Sequence, residues 1–112
     1  MNLRKEQTVF LLDVCKLIQF AAEQGFELTG GELFRTHEQQ KIYYNTGKSK
    51  TMNSNHLRRL AVDLLFFKDS ELTFDKKLLQ PVGDYWEKLH SKNRWGGNFI
   101  SFIDIPHFER NV

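Results

Sequence analysis

The run Ala61-Val62-Asp63-Leu64-Leu65-Phe66-Phe67 is the most apolar stretch of the chain, and a single carboxylate sits in its middle. An ionised carboxylate in an apolar strand costs several kcal/mol or more unless a cation or a metal compensates it. Any fold of this sequence must therefore bring a positive partner to Asp63. His56 lies upstream, and a second cluster, Asp104-Ile105-Pro106-His107-Phe108-Glu109, supplies another imidazole and two more carboxylates near the C-terminus. Together these groups read as a zinc site. A structural ion pair between Asp63 and Arg58 or Arg59 is the plainer alternative.

The chain has 112 residues with no Pro/Gly/Ser-rich linker, so residues 1–112 are expected to form one domain. Ten Phe, two Trp and three Tyr supply a core without disulfides. The single Cys15 cannot form an internal disulfide and is expected to be a small buried apolar residue. Net charge is only +2 with acids and bases interspersed, which argues against nucleic acid as a partner. Arg4 and Lys5 precede an apolar stretch, but Asp13 and Lys16 interrupt it and no small-residue cleavage site follows. The expectation is a monomer made in the cytoplasm without a signal peptide. No segment is long and apolar enough for membrane insertion.

Phe10, Val14, Leu17, Ile18 and Ala21 recur at helical spacing, widened by Leu11, Cys15 and Ala22 and ended by Gly25. Residues 26–34 suit a strand bent at Gly30-Gly31, leading into Arg35. Thr36 and Gln39 fit a capping box that opens a short helix ended by Gly47. Residues 45–55 are polar and aperiodic, hence a loop. The run 61–67 predicts a central strand covered on both faces. Asp75 can cap a helix through about His90 with Leu78, Leu79, Val82, Tyr85, Trp86 and Leu89 inward. Trp95-Gly96-Gly97 predicts a tight turn before a final strand over 99–103. The fold class is α+β, a small antiparallel sheet packed with helices.

A catalytic zinc takes about three protein ligands from His, Asp, Glu or Cys and leaves a fourth position for water, whose pKa falls to roughly 7. His56, Asp63 and His107 make such a set. Asp104 is the candidate general base, because Pro106 favours a break in strand alternation that would let Asp104 and His107 reach one site. Arg35 is the candidate cation for a developing oxyanion or a substrate carboxylate. Glu109 shares the face of His107 in an extended strand and can orient its imidazole. Ser54 contacts substrate or closes a turn, Trp95 is core or site wall, and Lys48 and Lys50 lie in a solvated loop that can face an anionic polymer.

Ser54-Asn55-His56 with Ala61-Val62-Asp63, then Trp95-Gly96-Gly97 and Asp104-Ile105-Pro106-His107-Phe108, resembles the zinc peptidases that include D-alanyl-D-alanine carboxypeptidases, vancomycin-resistance dipeptidases and phage L-alanyl-D-glutamate endolysins. The resemblance spans residues 34–108. It implies a Hedgehog/D-Ala-D-Ala peptidase-like fold, one Zn2+ held by His56, Asp63 and His107, and Asp104 as acid and base. It also implies that Arg35, followed by Gln39, contacts the substrate. The chain departs from many members at Arg59, where they carry glycine.

The expected function is a zinc peptidase that cuts an amide bond in the peptide stem of bacterial peptidoglycan, by analogy with short phage members between L-alanine and D-glutamate. Such an enzyme waits in the cytoplasm and reaches the wall through a phage-encoded pore. The alternatives are a D-Ala-D-Ala carboxypeptidase or dipeptidase, a non-catalytic zinc or peptidoglycan-binding module, and a structural domain with an ion pair at Asp63. Ligand type favours zinc over manganese or cobalt.

Overall fold

The first helix, α1 (Leu3–Glu23), begins where the Asn2 side chain accepts the Lys5 amide hydrogen at 2.9 Å. In this computed structural model, which describes residues 2–112, its buried stripe is Phe10, Asp13, Val14, Leu17 and Ala21. The stripe is narrower than the sequence implies, since Leu11, Ala22 and Ile18 are exposed and Cys15 is a free, exposed thiol. Spacing explains the difference. Positions 10, 13, 14, 17 and 21 follow the i, i+3, i+4 rule, so Asp13 lies inside the stripe and Cys15 beyond its edge.

Five strands form one antiparallel sheet: β1 (Glu27–Gly30), β2 (Ala61–Lys68), β3 (Glu71–Thr73), β4 (Asn93–Trp95) and β5 (His107–Arg110). Their order is β1-β2-β5-β4, with β3 pairing the distal end of β2 at Phe66–Lys68. β2 is the central strand, but its two faces differ. Val62, Leu64 and Phe66 are buried, whereas Asp63, Leu65 and Phe67 are half-buried. Asp63 therefore faces a partly open side, which is how an apolar run tolerates it.

Helix α3 (Lys76–Leu89) starts at Asp75, whose carboxylate accepts the Lys77 and Leu78 amides, and it runs on through Pro81. Its inner face carries Leu79, Val82 and Trp86. Trp86 meets Phe10 edge-to-face at 5.6 Å and Phe108 at 6.1 Å, joining α1, α3 and β5 in one aromatic core. Trp95 is also fully buried, and it passes so close to α3 that a Cβ on Gly83 would lie 2.1 Å from its indole.

The expected final strand over 99–103 is not formed. Trp95 ends β4, Gly96–Asn98 make a 3-10 turn, and the residues that follow form an irregular loop. Gly96 is the cause: its carbonyl accepts both the Phe99 and Asp104 amides, at 3.2 and 3.0 Å, closing the intervening residues into a loop. The last strand is instead β5, and β3 and β4 are additional strands too short to show an alternation. Helix α2 (His37–Asn45) and a 3-10 turn, Asn55–Arg58, complete the chain.

Arg59 closes that 3-10 turn with φ +56° and ψ +37°, a left-handed conformation in which glycine carries no Cβ penalty. A glycine here would serve only the backbone, a role that Arg59 fills while its guanidinium stacks 4.5 Å over Phe34. Arg59→Gly is expected to stay within about 1 kcal/mol of the parent in urea unfolding, relief of strain offsetting lost stacking and added chain entropy. Arg59→Val, stiff at χ1 in a left-handed site, should lose about 1–2 kcal/mol.

On the inner side of β5, Arg110 is fully buried. It pairs with Asp13 of α1 and donates from Nε to Asn93 Oδ1 at 3.0 Å, while Asn93 Nδ2 donates to Asp13 and to the Trp86 carbonyl. Breaking a buried pair by removing one partner strands the other charge. Asp13→Ala should therefore lower unfolding free energy by about 3–5 kcal/mol, read by urea denaturation.

Candidate active site

One face of the sheet opens into a cleft of about 840 Å3, roomy enough for a peptide segment. Asp63 on β2 lies opposite His107 on β5 in the antiparallel register, so their side chains share this face. His56 reaches the same point from the 3-10 turn, which Ser54 caps by accepting the His56 amide hydrogen at 3.2 Å. His56 Nε2 stands 3.3 Å and His107 Nδ1 3.4 Å from Asp63 Oδ1. Neither Arg58 nor Arg59 pairs with Asp63: Arg58 bonds Asn55 and the Val112 carbonyl, and Arg59 covers Phe34.

The far nitrogen of each imidazole is fixed by an acceptor. His56 Nδ1 donates to the Leu33 carbonyl at 3.0 Å and His107 Nε2 donates to Glu109 Oε1 at 2.6 Å. With those nitrogens held, the rings aim Nε2 of His56 and Nδ1 of His107 toward Asp63. Glu109 is held in turn by Arg94 Nε at 2.8 Å.

Asp104 arrives by the expected break in alternation. A turn at Ile105-Pro106 bonds the His107 amide to the Asp104 carbonyl at 3.1 Å and brings Asp104 Oδ2 to 4.0 Å from His107 Nδ1. Gly96 permits the approach, since a Cβ there would lie 2.1 Å from the Asp104 carbonyl oxygen. Trp95 does not line the cleft; its indole N–H bonds the Ile105 carbonyl at 2.8 Å and supports the turn from beneath.

Arg35 lines the cleft beside Glu32, its ion-pair partner, and its guanidinium lies 4.7 Å over the Tyr43 ring. Its Nη1 donates to Gln40 Oε1 at 2.8 Å. Gln40 is fully buried, and its Nε2 donates to the Ser49 hydroxyl at 2.9 Å and the Thr51 carbonyl at 2.6 Å. Gln39, the glutamine expected from the sequence, only caps: its amide bonds Thr36 Oγ1 and its side chain is outside the cleft. The inward residue is its neighbour, which the Arg35-to-Ser49 bridge identifies and no apolar period in this polar helix could.

Charge in the cleft is strongly coupled. Burial alone would raise the Asp63 pKa, but the adjacent His107 and His56 imidazoles outweigh it and hold the carboxyl well below the ordinary range. Burial also raises Asp104, with the negative charge of Asp63 adding to the rise, and the nearby histidines only partly oppose it. Burial would lower His107, yet Asp63 and Glu109 on either side push it up to about 9. Glu109 resists its own burial through His107 and Arg94 and falls to about 2.

The donor set fits a metal ion. His56, Asp63 and His107 offer ligand atoms that all lie within 4.8 Å of one another. His56 Nε2 and Asp63 Oδ1 are buried without a hydrogen-bond partner, a condition that costs about 1–3 kcal/mol per group and that a shared cation relieves. Two imidazoles and a carboxylate are donors suited to zinc.

A family model described as D-alanyl-D-alanine carboxypeptidase matches residues 47–110, and the chain belongs to that peptidase family. The matched segment contains His56, Asp63, Asp104 and His107 and begins after Arg35. The chain is 32% identical over 97 residues to the L-alanyl-D-glutamate peptidase of Listeria phage A118, covering 86% of this chain and 34% of that protein. It thus spans about a third of the length of that relative. The solved structure of the L-Ala D-Glu endopeptidase ChiX of Serratia marcescens shares the fold, with a TM-score of 0.70 and 21% identity over 88% of this chain and 78% of that one. No helix among the described residues is long and apolar enough to cross a membrane.

A metal ion taking His107 Nδ1 must displace the proton that the two flanking carboxylates stabilise there. Below about pH 9 the proton is the bound competitor, so zinc binding should release close to one proton per site and tighten as pH rises. Calorimetric titration in buffers of different ionisation enthalpy should read that proton, and affinity should climb by up to about tenfold per pH unit from pH 7 to 9.

Proposed function

We propose that this domain is a zinc peptidase that hydrolyses an amide bond in the peptide stem of bacterial peptidoglycan, between L-alanine and D-glutamate. The observation that carries the reading is the convergence of His56, Asp63 and His107, with two orphaned donor atoms between them and Asp104 at the rim. The bond specificity is drawn from the two L-alanyl-D-glutamate peptidases it resembles. The wall is the partner, and a single Zn2+ per chain is the cofactor. His56 Nε2, Asp63 Oδ1 and His107 Nδ1 would hold the ion, which when bound would activate water and polarise the scissile carbonyl.

Asp104 is then the proton carrier. Its carboxylate is half-exposed to the cleft, and its raised pKa moves it toward the range in which one group can accept a proton and give it back to the leaving amine. Arg35 presents a fixed cation to the oxygen that gains negative charge, braced by Glu32 and Gln40 so that it need not reorganise. Glu109 keeps His107 turned toward the site through the imidazole N–H. Ser54 and Trp95 act through the backbone of the 3-10 turn and of the Ile105-Pro106 turn.

Purified peptidoglycan incubated with the zinc-loaded protein should yield fragments with new amino termini on D-glutamate, read by mass spectrometry and abolished by a chelator. Released D-alanine would move the activity to the carboxypeptidase branch. Asp104→Asn should cut turnover by about 100- to 10,000-fold while zinc stoichiometry stays at one. An unmodified protein that keeps its zinc and binds walls without cutting them would leave a non-catalytic module as the better reading.

A further inference from the structure

The carboxylates deep in the cleft are mostly answered within the chain: Glu32 by Arg35, Glu109 by Arg94 and His107, and Asp63 by the two histidines. Two cations on the cleft wall are not. Lys48 and Lys50 line it, exposed, and among the described residues neither makes an ion pair or a side-chain hydrogen bond. Their ammonium groups rest only on aromatic faces, Lys48 at 5.9 Å from the Tyr43 ring centroid and Lys50 at 5.8 Å from that of Phe102, which belongs to the 99–103 loop.

The segment that carries these lysines is built rather than loose. The Lys48 and Ser49 amides donate to the Tyr43 carbonyl at 2.9 and 3.0 Å. Ser49 Oγ and the Thr51 carbonyl are gripped by buried Gln40, whose other end holds Arg35. One hydrogen-bond chain thus ties the lysine segment to the cation beside the candidate metal site. With Ser49 turned inward to Gln40, the two lysines flank it.

We infer that Lys48 and Lys50 form a carboxylate subsite that makes this peptidase select stem peptides with a free carboxylate beside the scissile bond over the same peptides with that group amidated. The inference rests on the peptidase reading and adds the substrate feature that the cleft discriminates. Two unpaired ammonium groups carried on a held backbone attract a carboxylate and have nothing comparable to offer a neutral amide. Exposure keeps each contribution modest, about threefold per lysine and about tenfold for the pair.

The test uses two synthetic stem peptides that differ only in a free or amidated D-glutamate carboxylate. Hydrolysis is measured with the zinc-loaded protein, with Lys48→Met, Lys50→Met and the double variant, and with Lys50→Arg. Binding is measured in parallel by calorimetry with zinc-loaded Asp104→Asn, alone and combined with the lysine changes. The expected result is a preference for the free carboxylate of about tenfold, expressed in KM and in Kd, falling toward unity in the double variant, kept by Lys50→Arg and weakened by salt. Equal handling of the two peptides, or a preference that survives loss of both lysines, would overturn the subsite. If neither peptide is cut but the Kd preference is present and lysine-dependent, the peptidase reading fails and the subsite stands; equal Kd values, or no binding of either peptide, sink it.

Discussion

The pairing of β2 with β5 is the constraint on which the site depends. Its register sets Asp63 opposite His107 and, one core position away, Val62 opposite Phe108. A slip of one residue would exchange the two faces of β5, sending Phe108 into the cleft and His107 into the core. The same alternation puts His107 and Glu109 toward the cleft and Phe108 and Arg110 toward the helices. Phe108 then meets Trp86 and Trp95, and Arg110 meets Asp13, so the core interactions that hold β5 also hold the register that aligns the site.

The two sides of the sheet are linked through one short strand. Arg94 on β4 lies opposite Glu109 and reaches its carboxylate on the cleft side, while the flanking Asn93 and Trp95 are buried. Trp95, closely packed over Gly83 and Gly97, bonds the Ile105 carbonyl and so supports the turn that carries Asp104. Aromatic packing against α3 is thereby converted into the position of a carboxylate, with a chain of contacts in which each group has little room to move. Larger residues at Gly83 or Gly96 would be felt at Asp104 because both glycines mark close approaches rather than free space.

What could be read from the residues alone follows the range of the physics involved. Asp63 announced a cation because burying charge is costly wherever it occurs, and Asp75 announced a helix because capping is local. The α+β class and the meeting of His56, Asp63, Asp104 and His107 were legible from such signals joined to a family resemblance. Non-local partners left no mark: Asp13 looked like a break in an apolar stripe because its partner, Arg110, is almost the whole chain away. Gln40 was hidden for a related reason. In a short polar helix no hydrophobic period tells which of two adjacent glutamines turns inward, and the capping signal truthfully selected Gln39 for a different task. The 99–103 segment has strand-like composition, yet two hydrogen bonds to one glycine carbonyl override that propensity.

Asp63 and Asp104 share one cleft and are driven in opposite directions, which is the physical basis for giving them different work. Asp63 is flanked by both imidazoles, and their proximity keeps it ionised against the cost of burial. Asp104 has His107 at 4.0 Å, and burial together with the charge of Asp63 outweighs the opposing influence of His107, His56 and Arg35, so its proton affinity rises. A ligand to a cation should remain charged throughout a reaction cycle, whereas a proton carrier must change its charge within it. Exchanging the two aspartates' surroundings would defeat both tasks. The separation depends on the turn at Pro106, which brings Asp104 to the rim without letting it enter the histidine pair, and on the register that keeps Asp63 between them.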